Sequence, residues 1–128
     1  MKALSVRQPW ASLIIRGIKR VENRRWRTPY RGRLLIHAAA SRASLAGCEP
    51  LPDEELVFAA ILGTVELVDC VRLEDAPTTP FTEGPWCWLL EHPKPFHIPI
   101  PYRGQQWVFT VPDEFIRNPA ACILRQTN

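Results

Sequence analysis

Prolines at positions 93, 95, 99 and 101 exclude a helix from one whole stretch of this chain. Each ring fixes φ and each lacks the N–H that a helix interior requires. Within sheets proline is confined to edges and strand ends, so residues 93–101 are expected to run as an extended edge segment. The sequence on either side is extended in character too. Trp86-Cys87-Trp88-Leu89-Leu90-Glu91 reads as a strand before the prolines, and Gln106-Trp107-Val108-Phe109-Thr110-Val111 as a last strand after them. Upstream, Leu4 and Val6 alternate with polar neighbours in a short first strand, residues 18–24 form a second, and Leu34-Leu35-Ile36-His37-Ala38 forms a buried third. Residues 59–73 make a long strand with Gly63 as a bulge or bend.

Helical signals are fewer. Gln8 leads into a helix with Pro9 in its first turn, where a missing N–H costs nothing. Trp10, Leu13 and Ile14 share one face of that helix, and Gly17 sits where a left-handed terminating residue is needed. Short helices are expected through Ser41 to Ala46, near Pro52 to Phe58, and after Val111. Several strands, two to three short helices and no regular βαβ alternation predict an α+β domain around a curled, barrel-like mixed sheet of about five to six strands. At 128 residues the chain is one domain's worth, so residues 1–128 are read as a single domain.

A content of 46% hydrophobic and 23% charged residues fits an ordinary folded protein and excludes a disordered one. No apolar run has membrane-spanning length, and the Met1-Lys2 start lacks the apolar region of a signal peptide, so a cytoplasmic protein without a membrane partner is expected. Cys48, Cys70, Cys87 and Cys122 show neither a Cys-x-x-Cys pair nor a histidine at finger-like spacing. They read as reduced and mostly buried, not as a zinc site or a disulfide framework. No phosphate-loop, Ser-His-Asp or metal-ligand pattern occurs, so no metal and no cofactor are expected.

Chemistry concentrates in Gly17-Ile18-Lys19-Arg20-Val21-Glu22-Asn23-Arg24. Glu22 and Arg24, two apart in a strand, project from one face. Lys19 sits at the helix exit, where its flexible stem can bring the ammonium to the same pocket. The three together suit a small polar ligand; the competing reading is that Lys19 and Glu22 simply form an ion pair that closes the helix–strand junction. Charge is segregated around them. Residues 1–42 hold eleven Lys or Arg against Glu22 alone, a net of +10, whereas residues 43–128 hold five against twelve acids, a net of −7. Arg24, Arg25, Arg27, Arg31 and Arg33 are interleaved with Trp26 and Tyr30. Guanidinium groups bind phosphate in bidentate fashion and aromatic rings stack on bases, so this run suits single-stranded RNA or a nucleotide-like ligand. The competing reading is a solvated basic face that pairs with the acidic remainder of the molecule.

Pro-Tyr-Arg-Gly occurs at 29–32 and again at 101–104, each time shortly before a hydrophobic strand. Proline presets a turn and glycine accepts a positive φ, so two equivalent strand starts are expected, with Tyr30, Arg31, Tyr102 and Arg103 mainly structural. His37, in a buried strand, reads as a hydrogen-bonded structural histidine, and Glu66 as an outward-facing strand residue. Gln8, polar and beside the octapeptide, either starts the helix or donates to a base edge. Trp86 and Trp88 share one strand face, with core the first expectation for both.

Ser5-Val6-Arg7-Gln8-Pro9-Trp10-Ala11, then Gly17-x-Lys19-x-x-Glu22-x-Arg24, the strand Leu34 to Ala38, and Pro99-Ile100-Pro101-Tyr102-Arg103-Gly104 together resemble the ASCH domain. The resemblance covers most of the chain and implies a PUA-like β-barrel with flanking helices, its signature lining a cleft across the barrel. It also implies RNA or DNA binding, with a small catalytic branch that deacetylates N-acetylated cytidine or cleaves RNA. In the amidohydrolase branch a threonine nucleophile holds the signature's acidic position and a separate glutamate assists; here that position is Glu22.

Two functions follow. In a binding module, Gln8, Lys19, Glu22 and Arg24 hold a base or nucleotide while Arg25, Trp26, Arg27, Tyr30 and Arg31 engage the backbone or stack. In a hydrolase, Lys19 and Glu22 are the catalytic candidates, with Glu22 orienting a water and Lys19 stabilising the oxyanion. Glu22 would hold Lys19 protonated, which works against a free-amine base.

Overall fold

The computed structural model describes residues 1–42 and 56–118. The helices expected through Ser41 to Ala46 and near Pro52 to Phe58 lie largely outside these residues, as do Cys48 and Cys122. Six strands form one mixed sheet: β1 (Lys2–Val6), β2 (Val21–Arg24), β3 (Gly32–Ala38), β4 (Ala60–Arg72), β5 (Trp86–Pro101) and β6 (Val108–Thr110). Their order is β2-β5-β4-β3-β1-β6. β1 and β3 are parallel, and the other neighbours are antiparallel. Helix α1 (Trp10–Ile15) follows β1, and α2 (Asp113–Arg117) follows β6.

Both faces of β3 are covered. Leu34 and Ile36 pack into one cluster with Leu4, Val6, Val65 and Trp88, which α1 covers with Ala11 and Ile14. Leu35 packs on the opposite side with Ala3, Ile61, Ile100 and Phe109, against Phe115 and Ile116 of α2. Two-sided burial accounts for an unbroken apolar run in place of alternation. Neither helix is long enough to be stable alone, so packing holds both; burying one Ile or Leu contributes about 1.5–3 kcal/mol.

β5 is a single strand of 16 residues, longer than the separate strand and proline segment read from the sequence. Its outer edge is paired with β2 only from Trp86 to Leu89. Beyond that, β4 alone flanks it, and the prolines lie on this half-open stretch. Register shifts interrupt the β4–β5 ladder at three places and the β3–β4 ladder at one. Such irregularities bend long strands and increase twist. Gly63 lies at one of them, where a Cβ would stand 2.3 Å from the Lys94 carbonyl oxygen.

Two strands are shorter than the sequence suggested. Residues 18–20 do not belong to β2: Gly17 takes φ +78, and the amides of Ile18 and Lys19 both donate to the Leu13 carbonyl, so the chain is still closing the helix there. β6 starts at Val108, not Gln106, because Trp107 has φ +67, which a strand cannot accommodate.

β2 and β6 stand at opposite ends of the strand order, and no ladder joins them among the described residues. Side chains bridge the gap. Arg24, at the end of β2, donates from Nη2 to the Ser5 carbonyl of β1 at 2.9 Å. Trp26 and Trp107 meet with ring centroids 4.0 Å apart. The sheet is therefore curled into a half-barrel with an open seam.

Candidate functional site

The octapeptide lies along this seam. Lys19, at 5% exposure, donates from Nζ to the Val21 carbonyl at 2.6 Å and to Glu22 Oε1 at 2.8 Å. The other carboxylate oxygen, Oε2, receives Arg24 Nε at 3.0 Å and Nη2 at 2.8 Å. The result is a buried cation–anion–cation chain with a net charge of +1. Each Glu22 oxygen accepts from one cation. One ammonium hydrogen of Lys19 and Nη1 of Arg24 have no partner among the described residues.

This chain forms the inner wall of a cleft of about 940 Å³. Arg7 and Trp10, just past β1, line one side, and Phe81 and Glu83 the other. The second side is fastened by Asn23, whose Nδ2 donates to the Phe81 carbonyl at 2.8 Å and whose Oδ1 accepts from the amides of Glu83 and Gly84 at 2.9 and 2.8 Å. Arg25, Trp26, Gln105, Gln106 and Trp107 complete the rim.

The structure thus brings Lys19, Glu22, Arg24, Arg25 and Trp26 together and leaves the other candidates elsewhere. Gln8 is fully buried outside the cleft lining. Its amide donates to Ser12 Oγ and the Val57 carbonyl, both at 2.8 Å, and accepts from the Ser12 amide at 2.9 Å. Both amide hydrogens are used in fastening the start of α1, so none remains for a base edge. The Arg27 guanidinium lies 5.9 Å from the Trp86 ring centroid, and Arg72 lies 5.0 Å from the same ring. The Tyr30 hydroxyl donates to the Arg33 carbonyl. Arg31 donates to the Thr28 and Tyr30 carbonyls at 2.8 Å and reaches Asp69 at 3.3 Å. The basic run therefore divides: its first part lines the cleft, and its second ties down a loop and meets an acid of the other two-thirds.

His37 has a fixed tautomer. Its Nε2 lies 2.6 Å from the Tyr102 carbonyl, which only accepts, so Nε2 carries the proton and Nδ1 accepts from the Ser5 hydroxyl at 2.8 Å. Burial lowers its pKa from the ordinary 6.5, opposed by the bond to Tyr102. Gly104, in the second Pro-Tyr-Arg-Gly copy, packs against Ser5 and His37 so closely that a Cβ would lie 2.7 Å from Ser5 Oγ. That copy is a structural clamp.

Sequence reasoning missed Arg7, Asn23, Phe81, Gln105, Gln106 and Trp107. Asn23 stood inside the octapeptide, and residues 105–107 directly follow the second repeat; nothing marked the loop at Phe81. Among the described residues no group of three or more His, Cys, Asp or Glu is placed to hold a metal. No helix among them is long and apolar enough to cross a membrane.

A curled six-stranded mixed sheet with short flanking helices and a charged cleft at its seam defines a PUA-like domain. The ASCH domain matches residues 4–117, and the chain belongs to that family. It is 30% identical to human Activating signal cointegrator 1 and 29% identical to the mouse protein, in each case over 96% of this chain. It spans 24% of the length of either relative. Crystal structures of ASCH from Zymomonas mobilis share the fold: one superposes with a TM-score of 0.60 at 18% identity, covering 94% of this chain and 93% of the other, and a mutant form gives 0.59.

Proposed function

We propose that the cleft binds single-stranded RNA or a nucleotide-like ligand through its phosphate. The observation that carries this reading is the buried Lys19–Glu22–Arg24 chain opening onto the cleft. A buried ion pair contributes little stability over apolar side chains of the same volume, so stability alone gives no reason to bury Lys19 and Glu22 here. What the arrangement does supply is a pair of cationic donors held at fixed positions by one carboxylate. Arg7 and Arg25 line the same cleft and add charge for neighbouring phosphates. Membership of the ASCH family, with its links to RNA, points the same way.

Hydrolysis fits less well. Each oxygen of Glu22 is already bonded to a cation, which makes it a poor water-orienting base, and Lys19 donates to that carboxylate.

Salt dependence tests the proposal. Each phosphate neutralised on a single strand contributes about −0.7 to the log–log slope. Two to three contacts therefore lower the affinity about tenfold between roughly 50 and 200 mM salt. Fluorescence anisotropy with a labelled short RNA reads this directly, and an affinity flat across that range would refute phosphate recognition.

A further inference from the structure

We propose that Trp107 and Trp26, with the amides of Gln105 and Gln106, form a subsite for one unpaired nucleobase at the mouth of the cleft. This inference rests on the nucleotide reading of the cleft and specifies which part of the ligand goes where.

The two indoles are 56% and 42% exposed, although both are large apolar groups. Neither side chain belongs to a core cluster. They touch each other across the seam with ring planes inclined by 35°, so each covers one face of the other, and their exposure leaves the remaining ring surface open at the cleft. Trp107 does this from a left-handed backbone conformation, which is unfavourable for a bulky side chain and recurs at ligand and switch sites. The ladder starts only at Val108, and the Trp107 indole lines the cleft.

Position supplies the second half of the argument. Trp26 is two residues from Arg24, and both line the cleft together with Arg25. A nucleotide there meets cations for its phosphate and π-faces for its base. Gln105 and Gln106 are exposed beside Trp107, and a primary amide offers both a donor and an acceptor to a base edge. Stacking accepts every base, so the subsite is permissive in sequence but demands a free base face. In a duplex both faces of each base are already stacked, so the preferred ligand is single-stranded.

Three labelled RNA probes of equal length separate the contributions: a single strand, the same strand with abasic sites, and its duplex. The wild-type chain is expected to bind the single strand about tenfold more tightly than the abasic strand. Trp107→Ala should abolish that preference while leaving abasic binding unchanged, and Trp107→Phe should retain most of it. Unchanged abasic binding also shows that the variants are folded. Equal binding of native and abasic strands, an equal affinity for duplex, or a preference that survives Trp107→Ala would overturn the base subsite while phosphate recognition stands. Failure of all three probes to bind would overturn both.

Discussion

Glu22→Gln tests the central geometry most directly. The carboxylate is 10% exposed and holds Lys19, whose side chain is 6% exposed, and Arg24, at 24%. Neutralising it affects the two cations differently. Arg24 keeps its bond to the Ser5 carbonyl and can turn toward water. Lys19 is left with the Val21 carbonyl and an amide oxygen, its charge still buried. Removing one partner of a buried pair costs about 3–5 kcal/mol, and since glutamine still accepts a hydrogen bond the lower figure applies, about 3 kcal/mol. With a urea m-value of about 2 kcal/mol/M, the unfolding midpoint should fall by about 1.5 M at unchanged slope. Glu66→Gln is the matched control. Its partner is His92 at 3.2 Å, with side chains 52% and 65% exposed, and an exposed pair contributes only about 0–1 kcal/mol. Adding Lys19→Met to Glu22→Gln should recover part of the loss, because the stranded charge is then gone. If Glu22→Gln costs no more than Glu66→Gln, or if the double variant is as unstable as the sum of the single ones, the buried chain is not what holds this corner together.

Gly63→Ala should be among the most damaging small substitutions in the sheet, because its Cβ would lie 2.3 Å from the Lys94 carbonyl oxygen and 2.8 Å from Pro95 Cα, both backbone. A loss of about 3 kcal/mol or more is expected in thermal or urea unfolding, whereas Gly32→Ala, whose nearest neighbour is the end of Tyr30 at 3.7 Å, should lose only the strain of its φ of +115, about 1 kcal/mol. His37 should make stability pH-dependent. Burial lowers its folded-state pKa below the ordinary 6.5, so the unfolded chain binds the proton first as pH falls. The neutral histidine's contribution is full above about pH 6.5 and declines below it until the folded pKa is passed. The stability gap between the wild type and His37→Gln should therefore narrow from about pH 7.5 to about pH 5.5 in urea titrations, and a constant gap would contradict a His37 held neutral by burial.

Much of the fold was legible because local chemistry and tertiary context agreed. Prolines 93 to 101 cannot form a helix, and the sheet uses them where β4 alone flanks the strand. Leu34 to Ile36 read as a fully buried strand, and both faces of β3 are covered. The errors lie at strand ends, where backbone conformation decides and side-chain pattern does not. Trp107 has a strand former's side chain and a left-handed backbone, and nothing in Gln106-Trp107-Val108 announces it. At the site, period-two alternation and a flexible lysine stem sufficed to bring Lys19, Glu22 and Arg24 together, because all the contacts span only a few residues. Charge pattern assigned Arg27, Tyr30 and Arg31 to a ligand-binding flank of the cleft; in the fold the turn before β3 directs them into carbonyls, Trp86 and Asp69.

The half of the cleft that escaped the sequence is the half made by curling. Arg7, Phe81 and residues 105–107 come from three separate connections that share no motif, and they meet the octapeptide only because the sheet bends until its ends face each other. Arg24 serves both sides of that arrangement. It completes the charge chain through Glu22 and satisfies a Ser5 carbonyl that no strand pairs at the open seam. Closing the fold and presenting a cation are thus one interaction, so an Arg24 substitution changes stability and affinity together and cannot apportion them. Arg7 and Arg25 are exposed and line the same cleft, and neither guanidinium makes a hydrogen bond among the described residues. They are the positions at which ligand electrostatics can be varied with the seam intact.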